Sequence, residues 1–279
     1  MTNLKPLVKW VGGKRQLLPH IHAALPADGF QRYFEPFFGG GAVLWSLAPK
    51  AATVNDLNAE LINLYTVVRD DVSSLIKELS DYPNDEAFFY ELRALDREPS
   101  FSLLSPIKRA ARTVYLNKTC YNGLYRVNLA GQFNSPFGRY KKPLICDEKT
   151  LTAIHGYLNT NEVTFLNGDY RDAVANAQPG DFVYFDPPYD PVNVTSNFVG
   201  YSSGGFNRTN QVELKELADA LTDRGVNWML SNSATDFIRE LYSDYHVDIV
   251  GASRAINSVA SKRGKVDEVL VRNYEHTRQ

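Results

Sequence analysis

Short runs of β-branched and aromatic residues recur at positions 32–34, 52–55, 163–167, 182–185, 227–230, 245–250 and 266–272, with helix-like segments between them. That alternation confines the chain to a mostly parallel α/β sheet. The stretch from 56 to 162 breaks the rhythm, because it carries no clear parallel-strand signal. Within it, residues 60–80, 85–97 and 106–118 place apolar side chains three and four apart, as helices do. The next segment, YNGLYRVNLAGQFNSPFGRY at 121–140, is rich in Asn, Gly, Pro and aromatics, which favours a long loop or hairpin. Residues 70–146 are therefore expected to form a second subdomain, inserted into an α/β core made of 1–69 and 147–279.

The chain has 279 residues, enough for one large domain or for a core with a smaller attached unit. Its 44% hydrophobic and 22% charged content excludes a disordered or fibrous chain. No apolar run reaches membrane-spanning length, and the first residues lack the apolar segment of a secretory signal, so a cytoplasmic protein with no membrane contact is expected. Cys120 and Cys146 have no spacing that suggests a metal site or a disulfide framework. Both are expected to be free thiols. No metal is implied, and no obligate protein partner is evident.

A net charge of -2 argues against a polyanionic partner, but the charge is segregated. Residues 99–146 contain no Asp or Glu and carry Lys108, Arg109, Arg112, Lys118, Arg126, Arg139, Lys141 and Lys142, eight cations against no acids and so +8 locally. Such a face suits a nucleic acid. A second acid-free stretch, 249–266, holds Arg254, Lys262, Arg263 and Lys265.

Four residues carry the most chemistry. DPPY, at 186–189, directly follows the apolar run FVYF and so stands at the carboxyl end of a buried strand, where ligands bind in open α/β sheets. The Asp186 carboxylate and the Pro187 carbonyl can each accept one proton of an aromatic amino group, such as the N6 group of adenine. That localises a lone pair otherwise delocalised into the ring. Tyr189 offers a face on which an extruded base can stack.

Nearer the N-terminus, YFEPFFGGGAV places Gly39, Gly40 and Gly41 between a strand and a helix starting near Ala42. The dinucleotide fingerprint fails, because Leu44 stands where its third Gly belongs. A Gly-rich turn can be a bare turn, but Asp56, in VND at the end of the next strand, adds an acceptor for a ribose diol. That pairing serves NAD and S-adenosylmethionine equally, and DPPY breaks the tie. KWVGGK, at 9–14, reads either as an exposed basic turn or as a loop over a cofactor, with Trp10 packing near its methionine part and Lys14 pairing with an acid or with the cofactor carboxylate. In GDY, at 168–170, Asp169 could accept amino protons of the cofactor's adenine while Tyr170 stacks on the ring.

With these residues assembled, the chain closely resembles the Dam-type family of DNA adenine N6-methyltransferases. The resemblance runs along almost the whole chain through KWVGGK, FEPFFGGGAV, NDLNAELINLY, LNKTCYNGLYRVNLAGQFNSPFGRYKKP, GDY, VYFDPPYDP and RGKVDEVLVRNY, in that order. It implies a Rossmann-like, seven-stranded methyltransferase core with an inserted helical target-recognition subdomain carrying a β-hairpin. It also implies S-adenosyl-L-methionine as cofactor, double-stranded DNA as partner, a flipped adenine in the DPPY pocket and the GATC-recognising branch, in a bacterial or phage-infected cell. The family's catalytic positions fall on Asp186, Pro187 and Tyr189. Its cofactor contacts fall on Trp10, Lys14, Phe37, Gly39, Gly40, Gly41, Asp56, Asp169, Tyr170 and Asp186.

On the DNA side the resemblance implies guanine contacts for Lys9 and Arg126 and thymine-methyl contacts for Leu124 and Pro136. Tyr121 and Asn122 would stand near the displaced base, and Asn134 and Arg139 would complete the DNA face. Three departures from the pattern, Tyr170 for Phe, SNS at 231–233 and Ala130 in place of a base, bear on phosphate affinity and flanking preference and leave the reaction intact. Methylation of RNA or of cytosine N4 fits less well, since the related cytosine enzymes carry Ser first in the tetrapeptide. A DNA-binding module that had lost catalysis would show decay in the Gly turn or DPPY, and neither is decayed.

Overall fold

The run FVYF shows how the sheet is built. As strand β4 (Phe182–Phe185) all four side chains are buried, and they alternate between two hydrophobic clusters, Phe182 and Tyr184 facing one and Val183 and Phe185 the other. A strand covered on both faces reads as continuous apolar sequence.

The structure, a computed structural model, describes residues 4–192, 205–253 and 265–275. The other strands are β1 (Tyr33–Glu35), β2 (Ala51–Asn55), β3 (Glu162–Leu166), β5 (Asn227–Ser233), β6 (His246–Ser253) and β7 (Lys265–Arg272). The helices are α1 (Leu18–Ala23), α2 (Ala42–Leu47), α3 (Ala59–Asp70), α4 (Val72–Ser80), α5 (Glu86–Ala94), α6 (Pro106–Thr119), α7 (Glu148–Thr160), α8 (Tyr170–Ala173), α9 (Arg208–Asp223) and α10 (Asp236–Leu241). The strands form one seven-stranded sheet in the order β3-β2-β1-β4-β5-β7-β6. β1 to β5 run parallel, and β7 pairs antiparallel with both β5 and β6. This is the Rossmann-like, seven-stranded sheet that the resemblance implies.

One face of the sheet packs on α2, α3, α6 and α7 through residues such as Trp45, Leu61, Val114 and Ile154. The other packs on α9 and α10 through Leu214, Leu221 and Ile238. Each fully buried Phe or Leu contributes roughly 1.5–3 kcal/mol relative to exposure.

Helix signals are equally local. Asn58 caps α3 by accepting the Leu61 amide at 3.0 Å, and Asp85 caps α5 through the Phe88 amide at 2.8 Å. The helix expected over 60–80 is broken: Asp71 leaves helical geometry, with φ -150° and ψ 64°, and its carboxylate caps α4 by accepting the Ser74 amide at 3.1 Å. An Asp that competes for the backbone ends one helix and starts the next.

The inserted segment shares the core. Ala110, Ala111 and Val114 of α6 join the main cluster, while Tyr115 and Leu116 of the same helix meet Tyr125 and Phe133 of the hairpin segment in a third cluster. The hairpin is tied by isolated antiparallel bridges, Cys120 to Phe137 and Val127 to Phe133, and not by a continuous ladder. At its tip the Asn128 side chain accepts the amides of Ala130 and Gln132, both at 3.0 Å. Both cysteines are free, as expected.

The basic stretch is less uniform than its composition suggests. Arg112 is buried, 3% exposed, and pairs with Asp96 at 2.8 Å, while Arg109 pairs with Glu60. These two cations serve the interior. Lys108, Arg126, Arg139, Lys141 and Lys142 stay exposed. Of the second acid-free stretch, Arg254, Lys262 and Arg263 lie outside the described residues, as does the side chain of Lys265.

Candidate active site

The sheet order creates the crevice. From β1 the chain proceeds outward to β2 and then β3, whereas β4 on its other side is followed by β5, so connections diverge between the adjacent parallel strands β1 and β4. Ligands of open α/β sheets bind over the carboxyl ends of strands at such a switch point. FEPFFGGG leaves β1 there, and DPPY leaves β4.

Asp186 is the centre of a polar network. Its Oδ1 receives Lys14 Nζ at 2.7 Å and Ser231 Oγ at 3.0 Å. Among the described residues its Oδ2 makes no hydrogen bond. Burial pushes the carboxyl above its ordinary range, while the Lys14 charge and the Lys14 and Ser231 hydrogen bonds pull it back toward the ionised form. Lys14 is 5% exposed and also lies over the Tyr189 ring, 4.6 Å from its centroid.

The backbone of the tetrapeptide is held from β5 and α9. Asn232 Oδ1 accepts the Asp190 amide at 2.9 Å, and Gln211, itself bound by Asn232 at 3.1 Å, donates to the Pro188 carbonyl at 2.8 Å. Tyr189 donates to Glu268 at 3.0 Å. The Pro187 carbonyl, by contrast, accepts no hydrogen bond among the described residues. Two acceptors, Asp186 Oδ2 and Pro187 O, are thus left open beside an aromatic ring.

The glycine turn has two kinds of partner. Gly41 has φ +69°, and a side chain there would come within 2.6 Å of Trp45 Nε1, so it is required by packing. A Cβ on Gly39 would lie 3.0 Å from Trp10, which covers Gly39 and Gly40 and stacks on Tyr125 with centroids 4.7 Å apart. Trp10 therefore joins the turn to the hairpin. Asp56 accepts the Gly39 amide at 2.8 Å and the Asn58 amide at 2.8 Å, and burial raises its carboxyl against both bonds.

Asn55 donates to the carbonyls of Pro36 and Gly168, both at 3.0 Å, and so locks the turns after β1 and β3 together. Phe37 stacks on Tyr170 with centroids 5.0 Å apart, and the buried Tyr170 hydroxyl has no partner among the described residues. Asp169 caps α8 through the Arg171 amide at 2.8 Å and pairs with the Arg171 guanidinium at 3.0 Å, so any other donor to it shares that carboxylate. The carboxylates after β2, β3 and β4 and the stacked rings of Phe37 and Tyr170 are thus gathered at the carboxyl edge of the sheet.

The residues expected on the DNA side also meet. Asn117, 1% exposed, accepts the Lys9 amide at 2.9 Å and donates to the carbonyls of Lys9 and Gly123 at 2.7 and 3.2 Å. The Lys9 stem lies against Gly123, where a Cβ would sit 2.6 Å from Lys9 Cδ. Asn122 adopts φ 58° beside it, and Tyr121, 59% exposed, donates its amide to the Pro136 carbonyl at 2.8 Å. The Leu124 carbonyl accepts the Ser135 hydroxyl at 2.5 Å. Arg126 is exposed and donates to Asn134 Oδ1 at 2.7 Å. Arg139, 77% exposed, reaches Glu86 at 3.4 Å.

Sequence reading missed the support around DPPY: Ser231, Asn232, Gln211 and Glu268. A signal existed in SNS, three polar residues ending an apolar strand and all buried. Its meaning needed the β4–β5 pairing.

Comparison with known proteins agrees with this geometry. Residues 10–256 match the model of the D12 class N6 adenine-specific DNA methyltransferases. The chain is 44% identical to a Type II methyltransferase, M1.LlaDCHI, of Lactococcus lactis, covering 98% of this chain and 96% of that protein. It is 40% identical to the Type II methyltransferase M.MjaIII of Methanocaldococcus jannaschii, covering 97% and 99%. It is 34% identical to the DNA adenine methylase of Escherichia coli K12, covering 97% and 95%. Matched by that family model over residues 10–256 and by these relatives along nearly its whole length, with DPPY at the switch point of its sheet, the chain belongs to the D12 class of N6 adenine-specific DNA methyltransferases.

Proposed function

We propose that this enzyme transfers a methyl group from S-adenosyl-L-methionine to N6 of an adenine flipped out of duplex DNA, within GATC. The observation that carries the reading is the pair of open acceptors, Asp186 Oδ2 and the Pro187 carbonyl. An N6 amino group has two protons to donate, and accepting both turns its lone pair out of conjugation with the ring. The Asp186 carboxylate also faces the positive charge that develops on N6, and the buried Lys14 holds that carboxylate in place from the opposite oxygen. Tyr189 supplies the stacking surface, its hydroxyl anchored on Glu268.

S-adenosyl-L-methionine, when bound, supplies the electrophilic methyl. Trp10, Lys14, Phe37, Gly39 to Gly41, Asp56, Asp169 and Tyr170 are the residues that would hold it, with Asp56 accepting from its ribose diol. Residues 70–146 act as the target-recognition subdomain. Lys9, from the N-terminal part of the core, and Arg126 address guanine, Leu124 and Pro136 meet thymine methyls, and Tyr121 and Asn122 fill the space the adenine leaves. Asn134 and Arg139 complete the contact. The Type II names of two of the relatives fit a restriction-modification setting, and a DNA substrate places the enzyme in the cytoplasm of a bacterial or phage-infected cell.

Flipping is testable by binding. A duplex with a mismatch opposite the target adenine has less pairing to break, so it is expected to bind more tightly than the paired duplex. Equal affinity for the two would contradict extrusion of the base.

A further inference from the structure

The arms of the hairpin pair through Asn134 to Arg126 and Asn128 to Gln132, on either side of the Val127 and Phe133 bridge, so the backbone groups of Phe133 find no partner on the other arm. Side chains following α5 supply the missing bonds. Asp96 Oδ2 accepts the Phe133 amide at 2.7 Å, and Arg97 donates to the Phe133 carbonyl at 2.8 Å. Both backbone groups of one residue are thus gripped by neighbouring side chains of the 3-10 turn Leu95–Arg97. Asp96 is in turn fixed by the buried Arg112 at 2.8 Å. The next residue is Asn134, whose amide donates to the Arg126 carbonyl at 2.9 Å and whose side-chain oxygen holds Arg126 Nε at 2.7 Å.

We propose that Asp96 and Arg97 are specificity-positioning residues: by clamping Phe133 they set Asn134, and through it the aim of the Arg126 guanidinium. This rests on the reading of Arg126 as a guanine contact. A bidentate fork discriminates only when both N–H groups align with both acceptors, so a small displacement of its support costs selectivity before it costs binding. An amide bound to a carboxylate is also stronger than one bound to a neutral carbonyl, which gives this clamp a firmness an isolated bridge lacks. Neither residue contacts DNA in this account.

The test compares methylation of GATC duplexes with all single-base variants for wild type, Arg126→Ala, Arg97→Ala and the double variant. Arg97 is chosen because its side chain is 31% exposed, and its loss leaves the Arg112 and Asp96 pair intact. Arg126→Ala is expected to lose about tenfold or more in discrimination at one base pair. Arg97→Ala is expected to lose about threefold to tenfold at that same base pair, with an unchanged melting temperature and near-normal turnover on GATC. The double variant should lose no more than Arg126→Ala, because both act through one contact. Arg97→Lys, which keeps a donor, should recover part of the selectivity. If Arg126→Ala relaxes one base pair and Arg97→Ala does not, the clamp is overturned and the base contact stands. If Arg126→Ala loses activity evenly on every duplex, the base contact falls, and the clamp's role falls with it.

Discussion

The DPPY end of the sheet and the hairpin are both built from side chains holding backbone, yet they are held in different ways. Asp186 to Asp190 is fixed by residues of β5 and α9 that are themselves buried in the sheet, Ser231, Asn232 and Gln211 each at 1% exposure or less. The hairpin arms are joined by isolated bridges, and its intended contacts, Tyr121, Asn122, Arg126 and Pro136, are exposed. Rigid placement suits a reaction that needs two acceptors aimed at one nitrogen. Exposed donors on an arm held at separate points suit a surface that must lie along a duplex groove. Trp10 joins the two regions, packing on the glycine turn and stacking on Tyr125.

That contrast can be broken most forcefully at Asp186. Asp186→Ala is expected to lower turnover by at least about a hundredfold to a thousandfold, the scale of one lost transition-state contact, while DNA binding persists. Near-normal turnover in a folded variant would remove the chemistry from DPPY. Asp56→Ala is expected to weaken cofactor binding roughly tenfold to a hundredfold, the worth of a hydrogen bond to a charged group, with DNA affinity little changed. Calorimetry showing the same cofactor affinity would strike Asp56 from the ribose site.

On the hairpin side, the Lys141→Ala/Lys142→Ala double variant should weaken binding evenly across sequences and reduce the slope of log affinity against log salt by about 1 to 2. A sequence-dependent loss would contradict a phosphate role for these two lysines.

The smallest effect is expected in the core at Glu35. Its buried carboxyl accepts Tyr33 Oη at 2.9 Å and the Leu44 amide at 3.2 Å, and burial raises it well above its ordinary value of 4.5. The neutral form is therefore the one the fold favours. Its stabilising contribution is complete below pH 4.5 and is lost as pH rises toward the raised value. Glu35→Gln keeps an acceptor and removes the titration, so its melting temperature should match wild type in acid and exceed it increasingly as pH rises. A gap that stays constant with pH would contradict this assignment.

The two regions also differed in how far they could be read from sequence. All seven strands were legible because β-branched and aromatic runs alternate with helical periodicity, and β4 declared its central place by being apolar throughout. The order of the strands was not legible, so the meaning of SNS, which depends on β5 lying against β4, was hidden. Composition also misled where charge was internal: Arg112 reads as part of a basic face but fills the space under Asp96. The break at Asp71 lay in the sequence as an N-cap residue, but an uninterrupted apolar period masked it.

Joining the two regions is what the proposed function requires, and one measurement addresses the join directly. Purified enzyme would be given labelled S-adenosyl-L-methionine with duplexes that differ only within GATC, and the product nucleosides would be separated. The expected result is label in N6-methyladenine alone, from the GATC duplex and at far lower rates from every single-base variant. Label on cytosine, or equal labelling of all the duplexes, would contradict it.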